Sequence, residues 1–476
     1  MEGALGRSPL GGEGEKVSTV HSDQHRGSED PRAGKIGRRA VLVGGLAGAG
    51  TLLLPFRAAA GHIHAIPTAE TYEADVATAW YDLTLRLIRR TPGFSPPVAS
   101  RALAYTGVSL FEALVPGITD GRSLAGQVRG LPKVPTAGRN AAYDWNIVAN
   151  STLASIARSL FPTAPAEDRA AIDALEHGIL AGARLGVPLG VVRRSIERGR
   201  QVAAAVFDWS TADGGHDGFV NNFPTYVPPV GPGLWVPTPP AFLPALQPYW
   251  GSCRTFATPS GAACPPVDPT TYDEDPGSRF FEEASETYAT VNALTDEQRA
   301  VAIFWSDDPG ATVTPPGHSI SMLTQILRQR NASLADAAIA YAKVGIAVAD
   351  AFICCWDTKF QVNLLRPVTY IRSLIDPAWS SMLTTPPFPE FTSGHSVQSG
   401  AAATVLTDLF GEVAFTDHTH DDRGLPSRSF RSFWDAAEEA AISRLYGGIH
   451  FRPAIEIGLE QGRCVGEHVN ALRLLG

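Results

Sequence analysis

An all-α fold, one large helical domain of bundled helices with room for two bundles, is the architecture this sequence predicts. Three observations carry the prediction. Long segments repeat apolar residues at i, i+3 and i+4, the period of a helix with one buried face. Strand-like alternation is almost absent. A chain of 476 residues with 44% apolar and 18% charged residues can bury a large core,.

The first sixty residues differ from the rest. Met1 to Gly37 is rich in Gly, Ser and charge, then Arg38 and Arg39 precede "AVLVGGLAGAGTLLLPF", uncharged from Ala40 to Phe56, with Ala58-Ala59-Ala60 behind it. Paired arginines, a mild apolar stretch and an A-x-A-like cleavage signal predict twin-arginine export to the periplasm or exterior, with removal of residues 1–60 and no stable membrane insertion afterwards. An uncleaved anchor is the alternative, because the apolar run lies at the short end of spanning length. Beyond Gly61 no run reads as long enough to cross a bilayer.

The helical period then appears at Glu70–Arg89, Pro97–Leu114, Trp145–Leu160, Pro165–Leu185 and Val191–Trp209, giving a helical half over 61–210. A Pro-rich stretch, 211–275, contains "NNFPTYVPPVGPGLWVPTPPAFLPALQPYW". A loop that long with so many aromatics is more often functional than disordered, and it is expected to fold over the body and line an entrance. The period resumes over 276–476 at Arg279–Asn292, Asp296–Trp305, His318–Arg330, Ser333–Ile353, Ser393–Phe410, Phe430–Leu445 and Ala454–Leu474, with a second irregular stretch at Asp376–Glu390. Two of five cysteines, Cys253 and Cys264, flank a compact loop and are expected to form a disulfide, as suits an exported protein,. Of Cys354, Cys355 and Cys464 at least one is then a buried, inert thiol.

A net charge of −9 argues against nucleic acid as a partner,. Any anion site must be a local cluster of cations, and three stretches of the C-terminal half hold one. In "KFQVNLLRP", Lys359 and Arg366 are seven residues apart, two helical turns, so one face could present both before Pro367 ends the segment,. "TSGH", Thr392 to His395, and "SRLYGGIH", Ser443 to His450, follow. Singly these read as a solvated basic face, a Ser N-cap and a helix end broken at Gly447-Gly448. If they converge, two arginines and a lysine match a tetrahedral oxyanion, with Ser393 and the amide at Gly394 at a helix N-terminus. Two histidines remain, one for the central atom and one for acid/base work.

K-x6-R-P, P-S-G-H and S-R-x5-H in this order resemble the signature shared by vanadium-dependent haloperoxidases and related acid phosphatases, the PAP2 superfamily. "FWSDDPGATVTPPGHS", Phe304 to Ser319, is similar to the Trp/Asp and Thr-Pro-Pro segment of haloperoxidase-like domains. The resemblance implies that His450 bonds vanadium, or becomes phosphohistidine in a phosphatase. It implies that Lys359, Arg366, Ser393, Gly394 and Arg444 hold the oxygens of vanadate, or of phosphate as its isostere, and that His395 is the acid/base. Lys359 would also polarise bound peroxide. Asp308 would orient Arg366 or Arg444, a plain turn before Pro309-Gly310 being the alternative. Trp356 and Phe388 match aromatic positions beside the site in chloroperoxidase-like members, ordinary core packing being theirs.

Two positions depart from the pattern. Thr392 stands where the family has Pro, and Ala454 where it has an Asp that orients the second histidine. Loss of that Asp weakens the phosphatase reading. "DHTHDDRG", Asp417 to Gly424, reads first as a solvated polar loop, with a divalent metal on His418, His420, Asp421 and Asp422 as the alternative. His318 is left out of the core site, although near it. The expected activity is haloperoxidase, with hydrogen peroxide, halide and an organic acceptor as small-molecule partners. An acid phosphatase and a non-catalytic phosphate- or vanadate-binding protein are the alternatives, and self-association is left open.

Overall fold

The computed structural model describes residues 67–138 and 141–476, so the expected export segment lies outside the described residues. Thirteen α-helices make up the described chain, which forms one compact unit. The first five are α1 (Asp75–Arg90), α2 (Pro96–Leu114), α3 (Trp145–Leu160), α4 (Ala166–Ala183) and α5 (Leu189–Ser210). After the Pro-rich loop come α6 (Arg279–Asn292), α7 (Asp296–Phe304), α8 (Thr314–Gln329), α9 (Leu334–Val362), α10 (Pro367–Leu374), α11 (Gly394–Phe410), α12 (Phe433–Tyr446) and α13 (Arg452–Asn470). Local chemistry sets many starts. Thr295 with Gln298 and Ser333 with Asp336 form capping boxes at α7 and α9, and Asp144 accepts Ile147 N at 2.9 Å to start α3,.

Two helices correct the sequence reading of spanning length. The Pro96–Gly117 segment and α9 are both long and apolar enough to cross a membrane, yet each is 94% buried inside the protein. They are apolar all round because both are core helices. Their axes approach until backbones touch, and a Cβ at Gly107 of α2 would lie 2.5 Å from Tyr341 O of α9.

The link between Lys359 and Arg366 also differs from expectation. Asn363, at φ 51, stops α9 in the left-handed region, which Asn tolerates better than most residues,. Pro367 begins α10 instead of ending a helix, since its fixed φ suits a first helical position and its missing N–H costs nothing there,. Lys359 and Arg366 therefore sit on separate elements. A further small surprise is a hairpin of β1 (Phe415–Asp417) and β2 (Arg428–Phe430), antiparallel with Thr416 opposite Ser429. Three-residue strands leave too little alternation to read.

The Pro-rich loop is stitched onto this frame. Asp350 of α9, wholly buried, accepts from the backbone of Phe256, Ala257 and Thr258 at 2.7–2.8 Å. Leu234 bridges to Leu364, with Trp235 N donating to Asn363 O at 2.7 Å. The loop thus fixes the short link that carries Arg366.

Helices α11 and α13 set the distance between the second and third motifs, and they cross at small residues. A Cβ at Gly462 would meet Val397 O at 2.2 Å. Gly462→Val is expected to force the pair apart, costing about 1–3 kcal/mol or more by the overpacking rule and lowering the thermal midpoint. A melt with a midpoint equal to that of the parent protein would contradict this. Gln461, beside it, accepts from Thr392 Oγ1 at 2.6 Å and donates to Thr358 Oγ1 at 2.9 Å and Cys264 O at 3.1 Å, tying α9, the TSGH stretch and α13 together.

The disulfide joins Cys264 to Cys464, 200 residues apart in sequence, while Cys253 stays a free, partly buried thiol and Cys354 and Cys355 are buried. The expected Cys253–Cys264 bridge is therefore not formed, because Cys264 faces α13. Cys464→Ser should lower stability by roughly 2–5 kcal/mol. Chemical denaturation under non-reducing conditions checks it, an unchanged midpoint being the contrary result.

Candidate active site

The three motifs converge. Lys359, one turn from the end of α9, is fully buried and donates through Nζ to the carbonyls of Pro389 and Glu390 at 2.8 and 2.9 Å. Arg366, at the start of α10 and also fully buried, donates from Nε to Phe388 O at 2.8 Å and from Nη1 to Ile449 O at 2.7 Å. Arg444, in the last turn of α12, donates from Nη2 to Trp305 O at 2.5 Å and from Nε to Ser443 Oγ at 2.9 Å. Ser393 caps α11, its Oγ accepting from Ser396 N, and Gly394 opens the helix so that its amide lies at the positive end of the dipole,.

His450 sits in the segment between α12 and α13, with Nε2 3.1 Å from Arg366 Nη1. Its Nδ1 lies 2.9 Å from Glu390 Oε1. A carboxylate there selects the tautomer in which Nδ1 carries the proton and Nε2 offers its lone pair to the site. Glu390 Oε1 also accepts from Phe451 N at 2.9 Å. This is the residue that linear reading missed. The family pattern places the carboxylate at 454, where Ala454 is instead buried against Phe280 and Phe451 and lends its carbonyl to Ser393 N at 3.0 Å. The only available hint was a lone acid in "PPFPEF", directly ahead of TSGH.

The electrostatics of these groups follow from dryness. Burial lowers Lys359 to about 7 and Arg366 and Arg444 to about 10,. Burial raises Glu390 to about 7. His450 is held well below the ordinary imidazole value by burial and then by Arg366 and Lys359, and His395 by burial and then by Arg444. Three buried cations with Glu390 and Asp307 as their nearest buried carboxylates, and Arg366 Nη2 unpaired, are arranged for an anion.

Unpartnered atoms mark the same place. Arg366 Nη2, His395 Nε2 and Glu390 Oε2 are sealed from solvent without a hydrogen-bond partner. A buried guanidinium N–H left free is costly unless something fills the role. Trp356 and Phe388 wall one flank, their rings 4.9 Å apart, with Lys359 Nζ 5.9 and 5.1 Å from the two centroids and Arg366 over Phe388 at 4.9 Å. His395, His450 and Arg444 open onto a cavity of about 1480 Å³ whose rim includes Pro239, Pro240, Phe242 and Leu243 of the Pro-rich loop.

Asp308 lies close enough to Arg444 for the two charges to interact, but it makes no hydrogen bond with it. It is exposed, its carbonyl accepts from Ala311 N and Thr312 N in the turn, and among the described residues it forms no ion pair with Arg366 or Arg444. The inward carboxylate is its neighbour Asp307, held at φ 50 and bonded to His318 Nδ1 at 2.9 Å. One residue of register in a turn reverses which side chain points in. The loop at 417–424 likewise divides. His418 and Asp421 pair at 2.9 Å on the surface and Asp422 pairs with Arg89, but Asp417 and His420 are buried, so neither the wholly solvated loop nor the four-ligand metal set is formed. The cause is the hairpin, which turns its first strand end inward against α8.

Fold and site together define an all-α protein with a buried cation cradle closed on one oriented histidine. The family described as the VCPO second helical-bundle domain matches residues 339–474. The fold is similar to the crystal structure of the first bacterial vanadium-dependent iodoperoxidase, with 37% identity and a TM-score of 0.78, covering 85% of this chain and 98% of that one. The holo-type bacterial vanadium-dependent chloroperoxidase is more distant, with 16% identity and a TM-score of 0.63 over 80% of this chain and 93% of that one, a likeness of fold. Vanadium chloroperoxidase of Curvularia inaequalis is 24% identical over 217 residues, which cover 33% of this chain and 36% of the relative's length. The chain belongs to the vanadium-dependent haloperoxidase family.

Proposed function

We propose that this protein is a vanadate-dependent haloperoxidase, oxidising halide with hydrogen peroxide at a vanadate held by His450. The observation that carries the reading is the likeness to an iodoperoxidase over 98% of that chain, in a structure whose unpaired Arg366 Nη2, with His450 Nε2 held 3.1 Å from Arg366 Nη1, fits a tetrahedral oxyanion. His450 Nε2 would bond the metal, while Lys359, Arg366, Arg444, Ser393 and the Gly394 amide hold oxygens. When bound, vanadate supplies a Lewis-acidic centre that activates peroxide without changing its own oxidation state.

The chain's own groups do the rest. Glu390 holds the His450 ring in one tautomer and orientation,. His395, neutral and facing the cavity, takes a proton from arriving peroxide and returns one to the departing oxygen,. Lys359 lies beside the cradle on a dry aromatic flank, where a positive charge polarises an oxygen far more strongly than in water,. Halide and an organic acceptor enter through the cavity, and the Pro-rich rim supplies apolar surface for the acceptor.

One observation favours acid phosphatase as a second reading. Glu390 supplies the carboxylate that Ala454 lacks, so His450 is also supported as a nucleophile,. Purified protein assayed with and without orthovanadate separates the two, using peroxide-dependent oxidation of iodide and then bromide beside phosphomonoester hydrolysis at mildly acidic pH. Vanadate-dependent halide oxidation is the expected result. Hydrolysis alone, abolished by vanadate, would overturn the haloperoxidase reading.

A further inference from the structure

A second polar cluster lies on the wall of the same cavity and is built from three separate elements. Asp307 comes from the turn after α7, His318 from the start of α8 and His420 from the loop between the two strands. Their exposures are 1%, 0% and 2%. We propose that these three side chains form a binding site for a divalent first-row cation of the zinc class.

Geometry, burial and outer partners argue for it. One ligand atom from each residue lies within 4.8 Å of the others, with Asp307 Oδ1 3.2 Å from His318 Nδ1 and 3.3 Å from His420 Nε2. Ligands on one tetrahedral zinc, at bonds of roughly 2.0–2.1 Å, sit about 3.3–3.5 Å apart. His420 Nε2 is sealed from solvent, with Asp307 Oδ1 at 3.3 Å in poor hydrogen-bond geometry. Its other ring nitrogen is 3.5 Å from Arg423 Nη1, at the limit of a hydrogen bond and too far to fix the tautomer,.

His318 has the outer partner that a metal-binding imidazole needs. Its Nε2 meets Asp417 Oδ2 at 2.6 Å, which fixes the ring, while its Nδ1, 2.9 Å from Asp307 Oδ2, would exchange that hydrogen bond for the ion,. Asp417 is itself held by Thr419 N at 2.9 Å and Gln325 Nε2 at 3.2 Å. Charge also balances, since one divalent cation neutralises the buried pair Asp307 and Asp417 with both imidazoles neutral. Asp307 and His420 line the cavity, so a further ligand would come from that side.

The test uses the full-length protein, stripped with a chelator and equilibrated with zinc chloride alone, then with cobalt chloride. Elemental analysis should find one zinc per chain, unchanged by added orthovanadate, and the cobalt form should show the intense visible bands of a four-coordinate N/O site. His420→Ala should lose the equivalent, and Asp417→Asn should bind zinc about 10–100-fold more weakly. The cobalt spectrum of the parent protein stands even where a variant fails to fold. No stoichiometric zinc in the parent, the weak bands of hexa-aqua cobalt, or undiminished zinc in His420→Ala would each overturn the site and leave a proton-bridged carboxylate–histidine network. None of these readouts depends on halide or phosphate turnover, so a failed haloperoxidase assay does not touch them.

Discussion

Replacing His450 by alanine is expected to bring vanadate-dependent halide oxidation down to the background of free vanadate and peroxide, a loss of at least ~10³-fold in kcat/KM, or about 4 kcal/mol of transition-state stabilisation. The His450 ring is held with its Nε2 toward the cations, because Nδ1 is committed to Glu390 and Nε2 lies 3.1 Å from Arg366 Nη1. Oxyanion binding should survive in weakened form. Lys359, Arg366 and Arg444 remain buried and still need a counter-charge. A vanadate titration by calorimetry beside the turnover assay separates the two effects. Turnover within a few fold of the parent protein would mean that His450 is not the point of attachment.

Glu390→Ala is expected to weaken vanadate binding by about 10–100-fold, the range for removing the outer partner of a metal-bound histidine. It also leaves Phe451 N and the Nδ1 proton of His450 without their acceptor, at about 1–3 kcal/mol for each stranded group,. Glu390→Gln keeps a carbonyl oxygen for both donors while removing the charge. If the residue works by orienting the ring, Gln should recover most of the affinity lost in Ala. Equal losses in the two variants would assign the effect to charge, and no loss in Ala would remove Glu390 from the site. Vanadate affinity, read apart from turnover, is the measurement that decides.

Much of the site was legible because its cations and glycines keep linear spacings that one backbone geometry requires. Lys359, Arg366, Ser393, Gly394, His395, Arg444 and His450 fall together as their order suggested, with Trp356 and Phe388 beside them. The helices were legible for the same reason that they form, since a period of 3.6 survives wherever one face is buried. What sequence concealed were relations across space. Glu390 reaches a histidine 60 residues away, and Cys264 bonds a cysteine 200 away. The choice between Asp307 and Asp308 rests on the backbone angle of one turn residue. Asp417 and His420 looked solvated because strands of three residues carry no pattern to show that they turn inward.

The contact of α2 with α9 bears on how the protein comes into being. Every motif of the site lies in the final quarter of the chain, yet α9 presents Lys359 from a helix whose other face is sealed by a segment made hundreds of residues earlier. During synthesis the early helices must wait with α2 uncovered until α9 emerges, and the cradle cannot be completed until α13 closes on α11. The helical bundle matched over residues 339–474 therefore shares its core with helices made far earlier, and the cradle is complete only once both have folded,.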